Sequence, residues 1–126
     1  MMFKSLSPYL IAISLLSVVT SNVSAAELVC SGTVEEVSYH ANDQMMVRLS
    51  SMNNAVFVCN TEIPWSVTGT GYVTGPKTCA ALYSTFLAAK LSGKPITSMY
   101  FDGADVPATC NGWGAWMKAN IRHYRF

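Results

Sequence analysis

One stretch decides how this chain folds: residues 78–101, TCAALYSTFLAAKLSGKPITSMYF. Its first part carries side chains at steps of three and four residues, the spacing of one face of an α-helix. They are Cys79, Leu82, Tyr83, Phe86, Leu87, Lys90 and Leu91. Because Pro76 favours a helix start while Gly93 and Pro95 favour an end, we predict a helix from about Lys77 to Ser92. The alternating residues Ile96 to Phe101 then predict a strand.

Three strands are expected before this helix. The first begins near Leu28, and its alternation slips by one residue at Glu35-Glu36. Such a slip is typical of a β-bulge, and Gly32 nearby would ease a sharp bend, so this strand should be long and kinked. Turn residues separate it from a second strand, Gln44 to Ser50, and from a third, Ala55 to Cys59.

Two long loops and a last strand complete the pattern. Residues 60–77 and 102–114 are rich in Gly and Pro without a sustained period, and residues 121–126 alternate weakly. The predicted fold is mainly β with one helix, in the order β-β-β-α-β-β. This order is that of a five-stranded OB-fold-like Greek-key barrel.

The N-terminus predicts export. Lys4 precedes a short apolar run, Leu10 to Val19, and small residues follow up to Ala26. This pattern is typical of a secretory signal peptide, here residues 1–26, followed by a single domain over residues 27–126. An apolar run of this length is too short to span a bilayer, so we expect a secreted or periplasmic protein without a membrane span.

All four cysteines belong to the predicted mature part. Export to an oxidising compartment favours two disulfides, and the spacing does not support a metal site. In the predicted topology the start of the first strand lies beside the end of the fourth, which brings Cys30 to Cys110. Cys59 ends the third strand and Cys79 opens the helix, so they can close the loop between them. Of the three pairings, this topology favours Cys30–Cys110 with Cys59–Cys79.

Charge and chemistry both favour a binding protein. Without Lys4 the predicted mature chain has seven basic and seven acidic residues, so it lacks the excess positive charge of a nonspecific nucleic-acid binder. Glu35 and Glu36 point to opposite faces of a strand and make a poor catalytic pair. The sequence also shows no pattern of a nucleophile with its general base. We therefore expect no enzyme activity, no catalytic residue, no metal and no cofactor.

Aromatic residues are the most suggestive binding groups. The tryptophans and the tyrosine that lie in or beside the two long loops are Trp65, Tyr72, Trp113 and Trp116. The apolar faces of sugars stack on such rings, and loops are where small scaffolds present sites. The alternative is that one of the two later tryptophans fills the core.

Of Met45 and Met46, one should point inward and the other outward, where it could join a subunit interface.

The chain resembles a known family over residues 55–101. The motifs are Ala55-Val56-Phe57-Val58-Cys59, then Cys79 before a helix that ends Leu91-Ser92-Gly93-Lys94, and the strand ITSMYF at residues 96–101. They resemble the glycan-binding B subunits of bacterial AB-type toxins, in the pertussis-like and subtilase-cytotoxin branch. That branch tends to carry another close cysteine pair near the C-terminus, whereas this chain has Cys110 alone there.

The resemblance implies a function and partners. Ser38 and Tyr39 fall near the end of the first strand, where a Tyr/Ser pair that contacts the ligand would be expected. The implied protein is a glycan-binding module that recognises a cell-surface glycoprotein, forms a homopentamer and pairs with a toxin A subunit, although proteins of this kind are also encoded without one. The alternative is a monomeric periplasmic interaction or inhibitor protein on the same scaffold.

Overall fold

The computed structural model describes residues 26–126, which form six strands and one helix. In chain order they are β1 (Ala26–Gly32), β2 (Val34–Tyr39), β3 (Gln44–Leu49), β4 (Val56–Asn60), α1 (Pro76–Ser92), β5 (Ile96–Gly103) and β6 (Asn120–Arg125). The predicted signal peptide lies outside the described residues, except for the backbone of Ala26. Within residues 26–126, no helix is long and apolar enough to cross a membrane.

The strands form two antiparallel sheets of three strands each, in the orders β1-β5-β6 and β2-β3-β4. The prediction of a mainly β chain with one helix is confirmed. The prediction of five strands is wrong, because the expected long first strand is divided into β1 and β2. The two halves pair with different partners, β1 with β5 and β2 with β3.

Gly32 is the point of division. Its φ of +131° is one that side chains rarely adopt, and a Cβ there would collide with Ser50 Oγ. The β1–β5 register also shifts between Cys30 and Gly32. Glycine therefore allows a bend that redirects the chain from one sheet to the other.

Strand β4 is linked at Phe57 to the segment that leads into β6 of the other sheet. The Phe57 N–H donates to the Met117 carbonyl at 2.9 Å, and its carbonyl accepts from the Ala119 N–H at 2.9 Å. This contact is an isolated parallel bridge between Phe57 and Lys118. The prediction of a closed five-stranded barrel is wrong in this respect, because β4 meets the segment just before β6 in one isolated bridge and not in a continuous strand pairing.

The helix confirms the prediction from its spacing. Its C-cap, Gly93, adopts a left-handed φ of 69° and donates its N–H to the Lys90 carbonyl. The buried face consists of Cys79, Leu82, Phe86 and Ala89. Leu91 also fits the three- and four-residue steps, yet 79% of it is exposed, because it lies two residues after the buried Ala89 and therefore about 200° around the helix axis from it.

Both predicted disulfides are confirmed: Cys30–Cys110 and Cys59–Cys79. Their Cα atoms are 5.8 Å and 5.5 Å apart. The first bridge ties β1 to the loop after β5, and the second ties the end of β4 to the first turn of α1. Such cross-links are typical of an oxidising compartment.

Strand β3 contributes most of its side chains to the core. Met45, Val47 and Leu49 are fully buried, as the alternation predicts. The neighbouring Met46 is largely covered, with 8% exposed, so it is not the exposed methionine that the prediction of a subunit interface requires. The β3–β4 register shifts between Met45 and Met46, and Met46 lies opposite Ser38 of β2 and Phe57 of β4.

Candidate functional site

Three of the predicted ligand residues lie together in one cleft. Ser38 and Tyr39, at the end of β2, face Trp116 from the loop before β6, across a cleft of about 380 Å³. We call it the Tyr39–Trp116 cleft. Its remaining lining consists of Glu36, His40, Met46, Asn54, Ala55 and Ala115. The cleft thus joins residues that are far apart in the chain, and its volume is at the small end of the usual range for ligand sites.

Trp116 presents a broad apolar surface. Its side chain is 62% exposed, although the indole also packs on two other rings. The His40 ring lies 4.8 Å away at 87°, and the Phe57 ring is stacked at 6.0 Å. His40 and Phe57 also contact each other edge-to-face at 4.9 Å. The three rings therefore form one packed aromatic cluster, which fixes the position of the Trp116 indole.

The backbone at Trp116 is itself unusual. Its φ is +64°, in the left-handed region that residues other than Gly and Asn seldom occupy. A conformation of this kind costs free energy and persists only where the surroundings hold it. Here the packing on His40 and Phe57 supplies that support, so the exposed indole is held in a defined position.

Tyr39 forms the opposite wall. It is 43% exposed, and its ring lies 4.8 Å from the Tyr83 ring of α1. Partial burial raises the pKa of Tyr39 above its ordinary value, and the neighbouring Tyr83 raises it further. The phenol therefore remains protonated at neutral pH, where it can both donate and accept a hydrogen bond.

Polar groups lie beside the two rings. Ser38 Oγ donates to Glu36 Oε1 at 3.0 Å, and Arg48 Nε lies 3.8 Å from Glu36 Oε2. Asn54 donates from Nδ2 to the Trp113 carbonyl at 2.7 Å, which leaves its amide oxygen as an acceptor. The cleft therefore combines apolar ring faces with short hydrogen-bonding side chains.

Trp113 and Trp65 do not join this cleft. Trp113 is 1% exposed and packs edge-to-face on Phe101 at 5.2 Å, so it is the tryptophan that fills the core. Trp65 is 6% exposed, and its Nε1 donates to the Ala119 carbonyl at 3.1 Å. Because both rings are enclosed by protein, neither offers a face to a ligand in this conformation.

Tyr72 lies in a separate polar cleft. Its hydroxyl donates to Asp102 Oδ2 at 2.8 Å, and Arg122 Nε lies 3.5 Å from the same oxygen. Arg122 also pairs with Glu27 across the sheet, at 2.6 Å. Burial, and then the hydrogen bond to Asp102, raise the pKa of Tyr72 well above its ordinary value. These contacts hold the loop after β4 against the sheet, which is a structural role for Tyr72.

Several cleft residues were not predicted from the sequence: Glu36, His40, Met46 and Asn54. Glu36 and His40 flank the predicted Ser38-Tyr39 pair, and their nearness in the chain is a signal that could have found them. Asn54 follows a turn and carries no such signal. Among residues 26–126, no group of three or more His, Cys, Asp or Glu side chains is arranged to hold a metal ion.

Comparisons with protein-family models, with curated proteins and with solved structures found no match to this chain.

Proposed function

We propose that this chain is a secreted or periplasmic glycan-binding module and that the Tyr39–Trp116 cleft is its binding site. The observation that carries the proposal is the exposed indole of Trp116, held beside the hydroxyls of Ser38 and Tyr39. A sugar has an apolar face of C–H bonds and a rim of hydroxyls. The cleft offers a ring for that face and polar groups for that rim, and the two disulfides fit an oxidising compartment.

We further propose that the scaffold is OB-fold-like and belongs with the B subunits of bacterial AB-type toxins. Three features support this proposal: the bent path from β1 into β2, the helix between β4 and β5, and the parallel contact of Phe57 with Lys118. Ser38 and Tyr39, the pair assigned through the resemblance, line the cleft together with Trp116. A toxin A subunit is the partner that this identity implies.

The sheet edges support assembly into a ring, for which we propose a homopentamer. Each sheet has two outer strands, β1 and β6 in one and β2 and β4 in the other, and of these β6 and β2 are the pair that we propose for assembly. Such edges are ready to pair with another chain. A head-to-tail contact between the β6 edge of one copy and the β2 edge of the next would generate a closed ring if the rotation closes.

Replacement of Trp116 by alanine tests the binding site. One face of an indole has an area of about 75–125 Å², half of what a buried aromatic covers, and would contribute about 2–3 kcal/mol at most. We therefore expect Trp116→Ala to weaken binding on a glycan array at least about tenfold. Phe126→Ala is the matched control, because Phe126 is an exposed aromatic residue, 42% accessible, outside the cleft.

Thermal melting of both variants checks that the fold is intact, since Trp116 also covers Phe57. Equal binding by Trp116→Ala and the wild type would contradict the proposed site. Size-exclusion chromatography with light scattering measures the molar mass of the protein in solution and so tests the proposed ring. We expect a mass of several chains. Absence of glycan binding together with the mass of one chain would instead favour a monomeric interaction or inhibitor protein.

A further inference from the structure

Trp116 lies between two clefts. One is the Tyr39–Trp116 cleft, and the other is a cleft of about 440 Å³ lined by Asp105, Trp116, Met117 and Lys118. We call the second one the Lys118 cleft. Trp116 is the single residue that lines both, so its indole is a wall of each. A sugar bound in the Tyr39–Trp116 cleft would therefore leave the part of the ring that lines the Lys118 cleft uncovered.

The segment that carries Trp116 is fixed to the rest of the protein. The Gly114 N–H donates to Met117 Sδ at 2.9 Å, which closes a short turn around Trp116. The Met117 carbonyl accepts from the Phe57 N–H of β4 at 2.9 Å. Because the ring also packs on Phe57, the indole cannot swing into one cleft without losing these contacts. Both clefts are therefore present at the same time.

The Lys118 cleft has the groups that a second sugar needs. Lys118 and Asp105 are both exposed, and the Lys118 Nζ lies 5.5 Å from the centre of the Trp65 ring. Within residues 26–126, neither side chain belongs to an ion pair. The ammonium can therefore donate to sugar hydroxyls and the carboxylate can accept from them, and such charge-assisted hydrogen bonds are stronger than neutral ones. Met117 adds an apolar surface beside the indole.

The volumes of the clefts also favour an extended ligand. The Tyr39–Trp116 cleft has about 380 Å³ and the Lys118 cleft about 440 Å³. Each alone is at the small end of the usual range for ligand sites, whereas the two together fall well within it. Linked sugars lie next to each other, so a second unit joined to the first could pass Trp116 into the neighbouring cleft.

We infer that the site binds an oligosaccharide and not a single terminal sugar, with two linked units on either side of Trp116. One unit occupies the Tyr39–Trp116 cleft, and the other occupies the Lys118 cleft. This inference rests on the proposed glycan-binding function and adds a minimum ligand length to it. It applies to neutral and to acidic termini alike, because the shared indole contacts the apolar faces of the sugars.

The test measures affinity against ligand length for the full mature protein by isothermal titration calorimetry. Two series of free glycans are used: methyl galactoside, lactose and lacto-N-neotetraose, and the methyl glycoside of N-acetylneuraminic acid, sialylgalactose and sialyllactose. Free glycans engage one site at a time, so avidity does not contribute. In a series that binds, we expect the step from one to two units to raise the affinity at least about tenfold, and later units to add less.

Two variants test whether the second unit lies in the Lys118 cleft. Lys118→Met removes the ammonium and keeps an unbranched apolar chain beside Trp65, and Asp105→Asn removes the carboxylate charge at nearly constant shape. Each should lower the gain from the second unit several-fold and leave binding of the single sugar unchanged. Lys94→Met is the matched control, because the Lys94 Nζ also lies over an aromatic ring, 5.1 Å from the centre of Phe126, and lines neither cleft.

The outcomes separate this inference from the function on which it rests. Equal affinities for one and two units, with the Trp116 ring still required, would overturn the inference and leave glycan binding standing. A gain that survives both Lys118→Met and Asp105→Asn, or that Lys94→Met lowers equally, would overturn the placement of the second unit. Absence of binding in both series would contradict the proposed function together with the inference.

Discussion

Phe86 is the residue at which the packing of α1 on the sheets can be tested most directly. It is fully buried, lies in the middle of the buried helix face, and contacts the Tyr124 ring of β6 edge-to-face at 5.2 Å. Phe86→Ala removes a whole ring from the core without changing charge or adding a polar group. The substitution therefore reports on packing alone.

The expected loss follows from burial. Truncation of a buried Phe to Ala costs about 3–5 kcal/mol, which combines the lost transfer free energy with the cavity left behind. The edge-to-face contact with Tyr124 accounts for about 0.5–1.5 kcal/mol of interaction beyond area burial. Small domains have about 5–15 kcal/mol of stability in total, so the variant should remain folded at 25 °C while melting at least about 12 °C lower.

The assay is urea unfolding of the oxidised protein, followed by far-UV circular dichroism, with the free energy extrapolated to water. Leu91→Ala is the matched control, because the Leu91 side chain lies on the same helix and is 79% exposed. Leucine and alanine both favour helix, so this substitution changes little besides the exposed side chain. We expect the control to change the free energy of unfolding by less than about 0.5 kcal/mol. A loss below about 1 kcal/mol for Phe86→Ala, or equal losses for the two variants, would refute the packing of α1 described above.

Two further predictions concern cross-linking and pH. Replacing Cys30 and Cys110 together with Ala opens a loop of 80 residues and should lower the free energy of unfolding by about 4.5 kcal/mol in the chain-entropy account, measured by urea unfolding; a loss under about 1 kcal/mol would count against it. The pKa of Tyr72 is raised in the folded protein, so its contribution to stability is present below about pH 10 and is lost as the pH rises further. Between about pH 10 and about pH 11.5 the free energy of unfolding should therefore fall less steeply for Tyr72→Phe than for the wild type, and identical slopes would exclude this role.

The sequence predicted those features of the structure that depend on interactions between residues close together in the chain or on the order of the elements. The helix follows from the step of three and four residues between Cys79 and Leu91, and Gly93 ends it in the left-handed conformation expected of a C-cap. The bend at Gly32 was also foreseeable, because a slip in alternation close to a glycine is typical of a strand that bends. Both disulfides followed from the order of the elements, since that order determines which strand ends lie near each other.

The local pattern did not distinguish Trp113 from Trp116. Both follow a glycine or an alanine in the same loop, and either could fill the core or face solvent. The structure buries Trp113 against Phe101 and leaves Trp116 exposed on His40 and Phe57. Which ring is enclosed depends on where distant strands pass, and one sequence does not encode that in any short window.

By itself, then, the sequence determined the element types, the helix bounds to within a residue or two, the bend and the disulfide pairing, because each depends on neighbours in the chain or on element order. Tertiary structure alone decided that the strands form two sheets, that Phe57 is bridged to Lys118 just before β6, and that Met46 is covered, with 8% exposed. It also decided that Ser38 and Tyr39 meet Trp116 in one cleft. Contacts between residues so far apart depend on how the sheets pack, and packing is set by the whole core at once rather than by any local period.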